Sequence, residues 1–293
     1  MPDTFRFTVL DADDGARLDQ VLARGVPGLS RRRARVLIDI GGVFVDRARV
    51  KVAGRVLRAG QVIETTLGGA LDRATEAPVA PPPLVVVYQD DHLVVVDKPA
   101  GLVTAPTPES DRGDLLDQLA QRGDGPVFLV HRLDRPTSGL LVFARSRDAN
   151  RVLADKLVAH DVEREYLAVV DGAFPASIAT IDRPLRGQRA VTHVVARTPI
   201  AGGRATELRV RLETGRTHQI RLHLADVGHP VLGDGEHGSE SSRRFRPRPP
   251  RLALHATVLG FAHPITSAPM RWECPWPDDV APWVATLRTE VPP

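Results

Sequence analysis

The chain has 293 residues, of which 42% are hydrophobic and 26% are charged, a composition typical of a globular protein with room for one large and one small domain. Its single cysteine, Cys274, excludes an intrachain disulfide and argues against a cysteine-based metal site. No apolar run is long enough to span a membrane, and the N-terminus lacks the apolar core of a signal peptide. We therefore expect a cytoplasmic protein.

Basic residues are concentrated near the N-terminus. The net charge is only +3, but residues 17–58 contain eleven basic and three acidic residues, which indicates a polyanionic partner. The elements predicted in this block are a helix over 17–23, a helix over 31–40 that is capped by Ser30 and closed by Gly41 and Gly42, and strands over 43–45 and 61–64.

This helix–helix–strand pattern, over roughly residues 16–67, resembles the small RNA-binding domain shared with ribosomal protein S-four. The resemblance implies that arginines of the second helix contact RNA, namely Arg31, Arg32 and Arg35. Because Arg31 and Arg35 are four residues apart, we expect them to share an outward-facing stripe. The alternative interpretation is that these arginines form only a solvated helix face.

A proline-rich segment over residues 77–83 predicts a stiff, extended linker. It divides the chain into a small N-terminal α/β domain over residues 1–76, with the RNA-binding character just described, and a larger domain over residues 84–293. The larger domain is therefore expected to carry whatever chemistry the protein performs.

The larger domain is predicted to contain many strands and few helices. Its elements are a hairpin over 84–88 and 93–97, a turn at 98–101, a short helix near 115–119, a strand over 140–144, a helix over 148–160, strands over 162–170 and 207–212, a turn and strand over 215–224, a compact loop over 228–234, a mobile basic loop over 235–250 and a strand over 252–261. Without regular β–α alternation, this order predicts an α+β fold with a largely antiparallel mixed β-sheet flanked by helices.

The strongest functional signal is the segment HRLDRPTSG at residues 131–139, where charged residues crowd into a turn that leads directly into an apolar strand. Charges in such a position are costly unless they pair or take part in chemistry. A carboxylate that acts as nucleophile or base must stay ionised, and an arginine can hold it so through its planar guanidinium. Asp134 and Arg221 are the candidate pair. A purely structural ion pair is the alternative.

Other chemistries find less support in the sequence. His218 and His223 are five residues apart on a predicted strand and would face opposite sides, so with His255 they are expected to be structural rather than metal ligands. A glycosidase would need a second carboxylate opposite Asp134, and none stands out in the neighbouring motifs. No glycine-rich phosphate loop supports a nucleotide cofactor.

Two motifs, HRLD with TSG at 131–139 and GRTHQIR at 215–221, resemble the RluA family of RNA pseudouridine synthases. Shorter motifs follow the family's order: KPAG at 98–101, GHPVLGD at 228–234 and LALHA at 252–256. The resemblance extends from about residue 84 to the C-terminus and implies the pseudouridine synthase fold for the larger domain. Family members often carry the N-terminal RNA-binding domain as well.

The resemblance also implies roles for individual residues. Asp134 corresponds to the catalytic aspartate that acts at the ribose anomeric carbon, and Arg221 corresponds to its basic partner. Tyr166 corresponds to the tyrosine that stacks on the uracil and is implicated in proton removal. The residues expected to bind the substrate are Arg132, which would fill the gap left by the everted base, Ile220, which would pack against the target ring, and His131 and Thr137 of the central motif.

The implied activity is the isomerisation of specific uridines in structured RNA to pseudouridine, with 23S rRNA as the expected substrate. The same chemistry on tRNA, or a non-catalytic RNA-binding or ribosome-assembly protein, are the alternatives. An isomerisation requires no cofactor, nucleotide or metal, and nothing suggests an obligate interface, so we expect a monomer without cofactors. Two departures from the family pattern, at 104–106 and at 237–238, lie in loops expected to face the substrate.

Overall fold

The computed structural model describes residues 3–67, 71, 84–105 and 114–290. The chain divides into two compact units, Met1–Pro81 and Pro82–Pro293. The predicted linker over residues 77–83 lies outside the described residues. Within the described ranges, no helix combines the length and apolar character needed to cross a bilayer.

In the part of the N-terminal unit that the structure describes, helices α1 (Leu18–Gly25) and α2 (Arg31–Asp39) and a small antiparallel sheet surround one apolar core. Its elements are β1 (Asp3–Thr8), a 3₁₀ turn (Asp11–Asp13), α1 (Leu18–Gly25), α2 (Arg31–Asp39), β2 (Val43–Val45), β3 (Ala48–Arg49) and β4 (Val62–Leu67), with strand order β1-β4-β2-β3. The predicted cap of α2 is confirmed, because the Ser30 hydroxyl accepts a hydrogen bond from the Arg33 backbone N–H at 3.3 Å. Strand β1 is not predicted from the sequence.

The larger unit is organised around one extended sheet. Its strands are β5 (Val85–Gln89), β6 (Leu93–Lys98), β7 (Phe128–Leu129), β8 (Ser138–Ala144), β9 (Glu163–Asp171), β10 (Thr180–Asp182), β11 (Val191–Ile200), β12 (Ala205–Leu212), β13 (Leu254–Ala262) and β14 (Pro269–Glu273). Their order is β10-β11-β12-β9-β13-β8-β6-β5, with β14 beside β13 and β7 beside β8. Among the described strands, only the β8–β13 pair is parallel. The predicted α+β class is therefore confirmed.

Helices cover the sheet and bury its central strands. They are α3 (Leu115–Gln121), α4 (Arg147–Val158), α5 (Gln219–Asp226), α6 (Glu240–Arg244) and α7 (Ala281–Thr289), with a 3₁₀ turn at Ala201–Gly203. In β6, Val94 and Val96 belong to one apolar cluster, whereas Leu93 and Val95 belong to another. Because both faces of this strand are buried, its sequence is a continuous apolar run instead of an alternating one.

The predicted strand over residues 215–224 is wrong, since this segment is a turn followed by helix α5. Ile220, Leu222 and Leu224 alternate as in a strand, but the helix buries Ile220 and Leu224, which are four residues apart. The turn before the helix is fixed by the Gln219 amide oxygen, which accepts hydrogen bonds from the Thr214 hydroxyl and the Arg216 backbone N–H. Polar contacts in this turn, which the apolar pattern does not show, thus set the start of the helix.

The predicted mobile loop over residues 235–250 is also wrong in part. It contains helix α6, which begins where the Ser239 side chain accepts a hydrogen bond from the Ser242 backbone N–H at 3.0 Å, and it buries Phe245. The Phe245 ring packs against Trp283 of α7 with 6.4 Å between ring centroids. Because this segment is held by one buried aromatic residue and not by a row of apolar residues, its sequence has no apolar periodicity that would predict an ordered structure.

Strands β8 and β13 approach closely just after the central motif. Ala256 lies opposite Gly139 in their parallel pairing. Gly139 has a φ of +117°, and a Cβ at this position would lie 2.2 Å from the Ala256 carbonyl oxygen, so only glycine permits the approach. This contact fixes the start of β8 and with it the turn that carries Asp134.

Candidate active site

The turn that precedes β8 brings Asp134 to the wall of a cavity of about 560 Å³ in the larger unit. Cavities that bind small ligands or single bases fall in this size range. The other lining residues include all the remaining residues predicted for this domain's site: His131, Arg132, Thr137, Tyr166, Ile220 and Arg221. The structure therefore brings the seven residues together, and their individual roles stay predictions.

Arg221 connects Asp134 to a second carboxylate. Its Nη1 lies 3.4 Å from Oδ2 of Asp134, while its Nε and Nη2 form a bidentate pair with Asp234 at 2.7 and 2.8 Å. The Arg221 and Asp234 side chains are 4% and 1% exposed, whereas Asp134 is 20% exposed. Asp234 is thus the primary partner of Arg221. Asp234 is the last residue of the GHPVLGD motif, but it is not predicted from the sequence as part of the site.

The buried ion pair holds an ionised guanidinium group of Arg221 beside Asp134. Burial alone would raise the pKa of Asp234, but hydrogen bonds from Arg221 and from the backbone N–H groups of His237 and Glu236 lower it to about 2. Burial opposes the charge of Arg221 as well, yet Asp234 and Asp134 raise the guanidinium pKa above its ordinary value. Both groups remain ionised at neutral pH, so one guanidinium hydrogen-bond donor always faces Asp134.

Strand β9 carries Tyr166 into the same cavity. Burial raises the pKa of Tyr166 to about 12, with Arg164 acting in the opposite direction and Asp134 adding to the rise. The side chain is therefore a neutral phenol at pH 7 and can donate a hydrogen bond. For Tyr166 to remove a proton, a bound substrate would have to lower this pKa.

The remaining predicted contact residues differ in their exposure. Arg132 is exposed at the rim of the cavity, whereas burial and the nearby Arg164 lower the pKa of His131 to about 3 and keep it neutral. Within the described part of the chain, His131 Nε2 and Thr137 Oγ1 are buried without hydrogen-bond partners. Such unpaired groups are rare in folded proteins and call for a functional or structural explanation.

A buried lysine supports the Asp134 turn from the end of β6. The Lys98 ammonium donates to the carbonyl oxygens of Pro99, Leu102 and Arg135 at 3.0, 2.8 and 3.4 Å. Burial lowers the pKa of Lys98 to about 7, although Asp134 acts in the opposite direction. The KPAG motif therefore holds the residue that follows Asp134 by its backbone.

Thr104 supports the same turn from the other side. Its hydroxyl donates to the Leu133 carbonyl at 2.8 Å and accepts from the Leu133 N–H at 3.2 Å, and the side chain is buried. The expectation that this departure from the family pattern faces the substrate is therefore wrong for Thr104, while Pro106 lies outside the described residues. Thr104 positions the residue immediately before Asp134.

Replacing Thr104 with valine is expected to destabilise the larger unit by about 1–3 kcal/mol, because the buried N–H and C=O of Leu133 lose the hydroxyl that bonds both of them. We also expect kcat to fall more than KM changes, since the displaced turn carries Asp134. Urea unfolding followed by tryptophan fluorescence and steady-state kinetics would measure both effects. Thr104→Ser keeps the hydroxyl and serves as the control, so equal losses in both variants would contradict this role.

The arginines predicted to bind RNA are not equivalent in the N-terminal unit. Asp19 of α1 is fully buried, and Arg31 Nε and Arg35 Nε lie 3.2 and 2.8 Å from its Oδ2. Arg17 approaches the other oxygen at 3.1 Å. The predicted outward stripe of Arg31 and Arg35 is therefore wrong, because both turn toward a buried carboxylate, whereas Arg32 is exposed.

The three histidines expected to be structural separate into two groups. Both ring nitrogens of His223 and of His255 have partners: Thr192 Oγ1 and the Arg183 carbonyl for His223, and Ser138 Oγ and Cys274 Sγ for His255. This agrees with the structural role expected for them. His218 differs, because it immediately precedes α5 with a φ of +57° and its Nε2 lies 4.0 Å from Asp134 Oδ1.

Comparisons with known families match both units. Residues 92–226 match the family described as RNA pseudouridylate synthase, and residues 16–63 match the S4 domain. The larger unit, with its acidic side chain held by an arginine in an open cavity, thus has the fold of an RNA pseudouridine synthase, and the predicted S-four-like domain is confirmed.

Individual relatives make the assignment more specific. The ribosomal large subunit pseudouridine synthase D of Xanthomonas campestris pv. campestris is 36% identical over 313 residues, covering 96% of this chain and 92% of that protein. The protein of the same name from Nitrosomonas europaea is 37% identical over 309 residues, covering 97% and 88%. The structure of human RNA pseudouridylate synthase domain containing 1 gives a TM-score of 0.55 at 25% identity, covering 74% of this chain and 99% of that one. The chain belongs to the RluA family of RNA pseudouridine synthases.

Proposed function

We propose that this enzyme converts specific uridines of large-subunit ribosomal RNA to pseudouridine, with Asp134 as the group that acts at the ribose anomeric carbon. The observation that carries the proposal is the geometry of Asp134, which is partly exposed to the cavity and faces an arginine that a second, buried carboxylate holds in place. The names of the near-full-length relatives support large-subunit rRNA as the substrate.

The chemistry needs only groups that this cavity contains. The N1–C1′ bond of uridine breaks, the uracil turns, C5 bonds to C1′, and the proton lost from C5 is balanced by a proton gained at N1. Asp134 would assist departure from C1′ as an anion, while Tyr166 and Ile220 would form the walls against the ring. The reaction consumes no co-reactant, since reactant and product are isomers.

The target base must leave its helix to reach the cavity, at a cost of a few kcal/mol. Arg132 lies exposed at the rim and is placed to fill the gap or to contact a phosphate. Affinity would then come mainly from arginine–phosphate contacts and would depend strongly on salt concentration.

Pseudouridine mapping in total RNA from cells without the protein tests the proposal. We expect specific sites in large-subunit rRNA to disappear and to return with the wild-type protein, but not with an Asp134→Asn variant. Loss of pseudouridines in tRNA alone would reject the rRNA substrate. If cells without the protein keep all their pseudouridines, the proposed activity on cellular RNA is rejected. A variant as active as the wild type would reject the role of Asp134.

For the N-terminal unit we expect Arg32→Ala to weaken RNA binding and to reduce the slope of log affinity against log salt by about one, as one lost phosphate contact would. Arg35→Ala should instead destabilise α1 and α2 by about 1–3 kcal/mol, because buried Asp19 loses a charged hydrogen-bond donor. Salt-dependent binding and hydrogen–deuterium exchange of these two helices separate the effects. An unchanged salt slope for Arg32→Ala would show that this arginine is only solvated.

A further inference from the structure

Three metal-ligating side chains meet at the edge of the catalytic cavity: His218, Glu236 and His237. His218 Nδ1 lies 2.9 Å from His237 Nε2 and 3.5 Å from Glu236 Oε2, and Glu236 Oε1 lies 3.7 Å from His237 Nε2. In a tetrahedral Zn²⁺ site with bonds of about 2.0–2.2 Å, neighbouring donor atoms are about 3.3 Å apart. Each imidazole nitrogen thus has a different Glu236 oxygen nearby, and a small movement of the Glu236 side chain would bring one oxygen to the third corner of such a site.

The backbone that carries Glu236 and His237 is fixed by Asp234, the buried partner of Arg221. Asp234 Oδ1 accepts hydrogen bonds from the N–H groups of Glu236 and His237 at 2.9 and 3.0 Å, while the same carboxylate binds Arg221. The Glu236 side chain is 60% exposed, so an ion could enter directly from solvent. The ligands therefore need little rearrangement to bind a metal.

The local charge also favours a divalent cation. Three carboxylates, those of Asp134, Asp234 and Glu236, contact the one guanidinium of Arg221. Two imidazoles and one carboxylate suit Zn²⁺ rather than Mg²⁺, which prefers an all-oxygen set. This charge pattern and donor set point to the same class of ion.

We propose that His218, Glu236 and His237 form a Zn²⁺ site whose occupation inhibits the enzyme. A metal on Nδ1 of His218 would leave its Nε2 as an N–H that faces Asp134 Oδ1, now 4.0 Å away, in the manner of a carboxylate–histidine–zinc arrangement. It would also draw Glu236 away from Arg221 Nη2, which it contacts at 3.1 Å. A divalent charge beside Asp134 would stabilise its carboxylate and so make it a weaker nucleophile or base.

This site is not predicted from the sequence, because the sequence pattern indicates a strand at His218 and His223 is the only partner considered there for a metal site. The structure places His218 at the start of a helix, and its partner is His237 in the loop after the GHPVLGD motif. His237 is one of the two departures from the family pattern, so the site is expected to be particular to chains with histidine at this position.

Zn²⁺ binding to the full-length, metal-free protein, measured in competition with a chromophoric chelator, tests the site without RNA. We expect one Zn²⁺ per chain, visible absorption typical of tetrahedral coordination when Co²⁺ is used instead, and at least about tenfold weaker Zn²⁺ binding in His237→Gln. Glu236→Gln should weaken binding as well. The matched control is His193→Gln, because His193 Nε2 also lies beside a single carboxylate, Glu213, at 3.0 Å.

The site would be overturned by the absence of stoichiometric Zn²⁺ binding, by equal Zn²⁺ affinity in wild type and His237→Gln, or by an equal loss of affinity in His193→Gln.

The inhibitory role rests on the proposed function and is measured separately, as turnover with Zn²⁺ relative to each variant's own metal-free rate. We expect inhibition of the wild type that a chelator reverses and that His237→Gln escapes. Wild-type turnover that saturating Zn²⁺ leaves unchanged would reject the inhibition, whereas inactive metal-free wild type would reject the proposed function instead.

Discussion

Replacing Asp134 with asparagine is expected to reduce pseudouridine formation by at least roughly 10³-fold, the scale at which loss of an essential nucleophile or base appears in kinetics. Asparagine has the same shape but cannot carry the negative charge that Arg221 faces at 3.4 Å. RNA affinity should change little, because the phosphate-binding arginines are untouched. Single-turnover assays on an rRNA fragment and binding measurements on the same RNA would check the two expectations.

The matched control for this prediction is Asp278→Asn, which makes the same chemical change at an exposed position away from the cavity. It should leave the rate unchanged. The fold of Asp134→Asn should also persist, since Arg221 keeps its bidentate pair with Asp234. A rate for Asp134→Asn within tenfold of the wild type would contradict the nucleophile or base role.

The site was predictable from the sequence where its residues are close together in the chain. HRLD places Asp134 in a turn before a buried strand, and the resemblance connects it to Tyr166 and Arg221. Asp234 is different, because its importance depends on a contact with Arg221 that only the fold creates. A carboxylate at the end of a glycine-containing loop has no periodic signal that would identify its partner.

The fold was predictable where the apolar pattern is strong. It was ambiguous where polar contacts decide whether a segment forms a helix or a strand. The continuous apolar run of β6 correctly indicates a strand, which is buried on both faces. Strand β11 is not predicted because its threonines, arginine and proline give no clear alternation, although its pairing with β10 and β12 defines it. The apolar residues of helix α5 alternate as in a strand, and the hydrogen bonds of Gln219 to the preceding turn leave no signal in the apolar pattern.

Arg31 and Arg35 show a further limit of reading charge from sequence. A basic helix stripe predicts an RNA-binding face, but it cannot reveal a buried acid on another helix. Asp19 lies twelve and sixteen residues from these arginines and is fully buried between them. Part of the basic block therefore stabilises the N-terminal unit, which leaves exposed positions such as Arg32 as the better candidates for phosphate contacts.

Replacing Arg221 with methionine is expected to lower the free energy of unfolding of the larger unit by about 3–5 kcal/mol at pH 7, because Asp234 would be left as a buried, unpaired charge. Urea unfolding followed by tryptophan fluorescence measures this unit specifically, since Trp272, Trp276 and Trp283 are the chain's three tryptophans. Pseudouridine formation should fall as well, because Asp134 loses its guanidinium partner.

The pH dependence distinguishes a lost ion pair from lost packing. In the wild type the pKa of Asp234 is lowered from 3.8 to about 2, so its contribution to stability is complete above pH 3.8 and is lost as pH falls toward 2. Without Arg221, the pKa of Asp234 rises because only the backbone N–H groups of Glu236 and His237 then oppose burial, so the variant regains stability when this carboxyl is protonated. The difference in the free energy of unfolding between wild type and Arg221→Met should therefore be smaller at pH 4 than at pH 7.

The double variant Arg221→Met with Asp234→Asn should lose less free energy of unfolding than the sum of the two single variants. Strictly additive losses with no pH dependence would show that Arg221 acts only through packing.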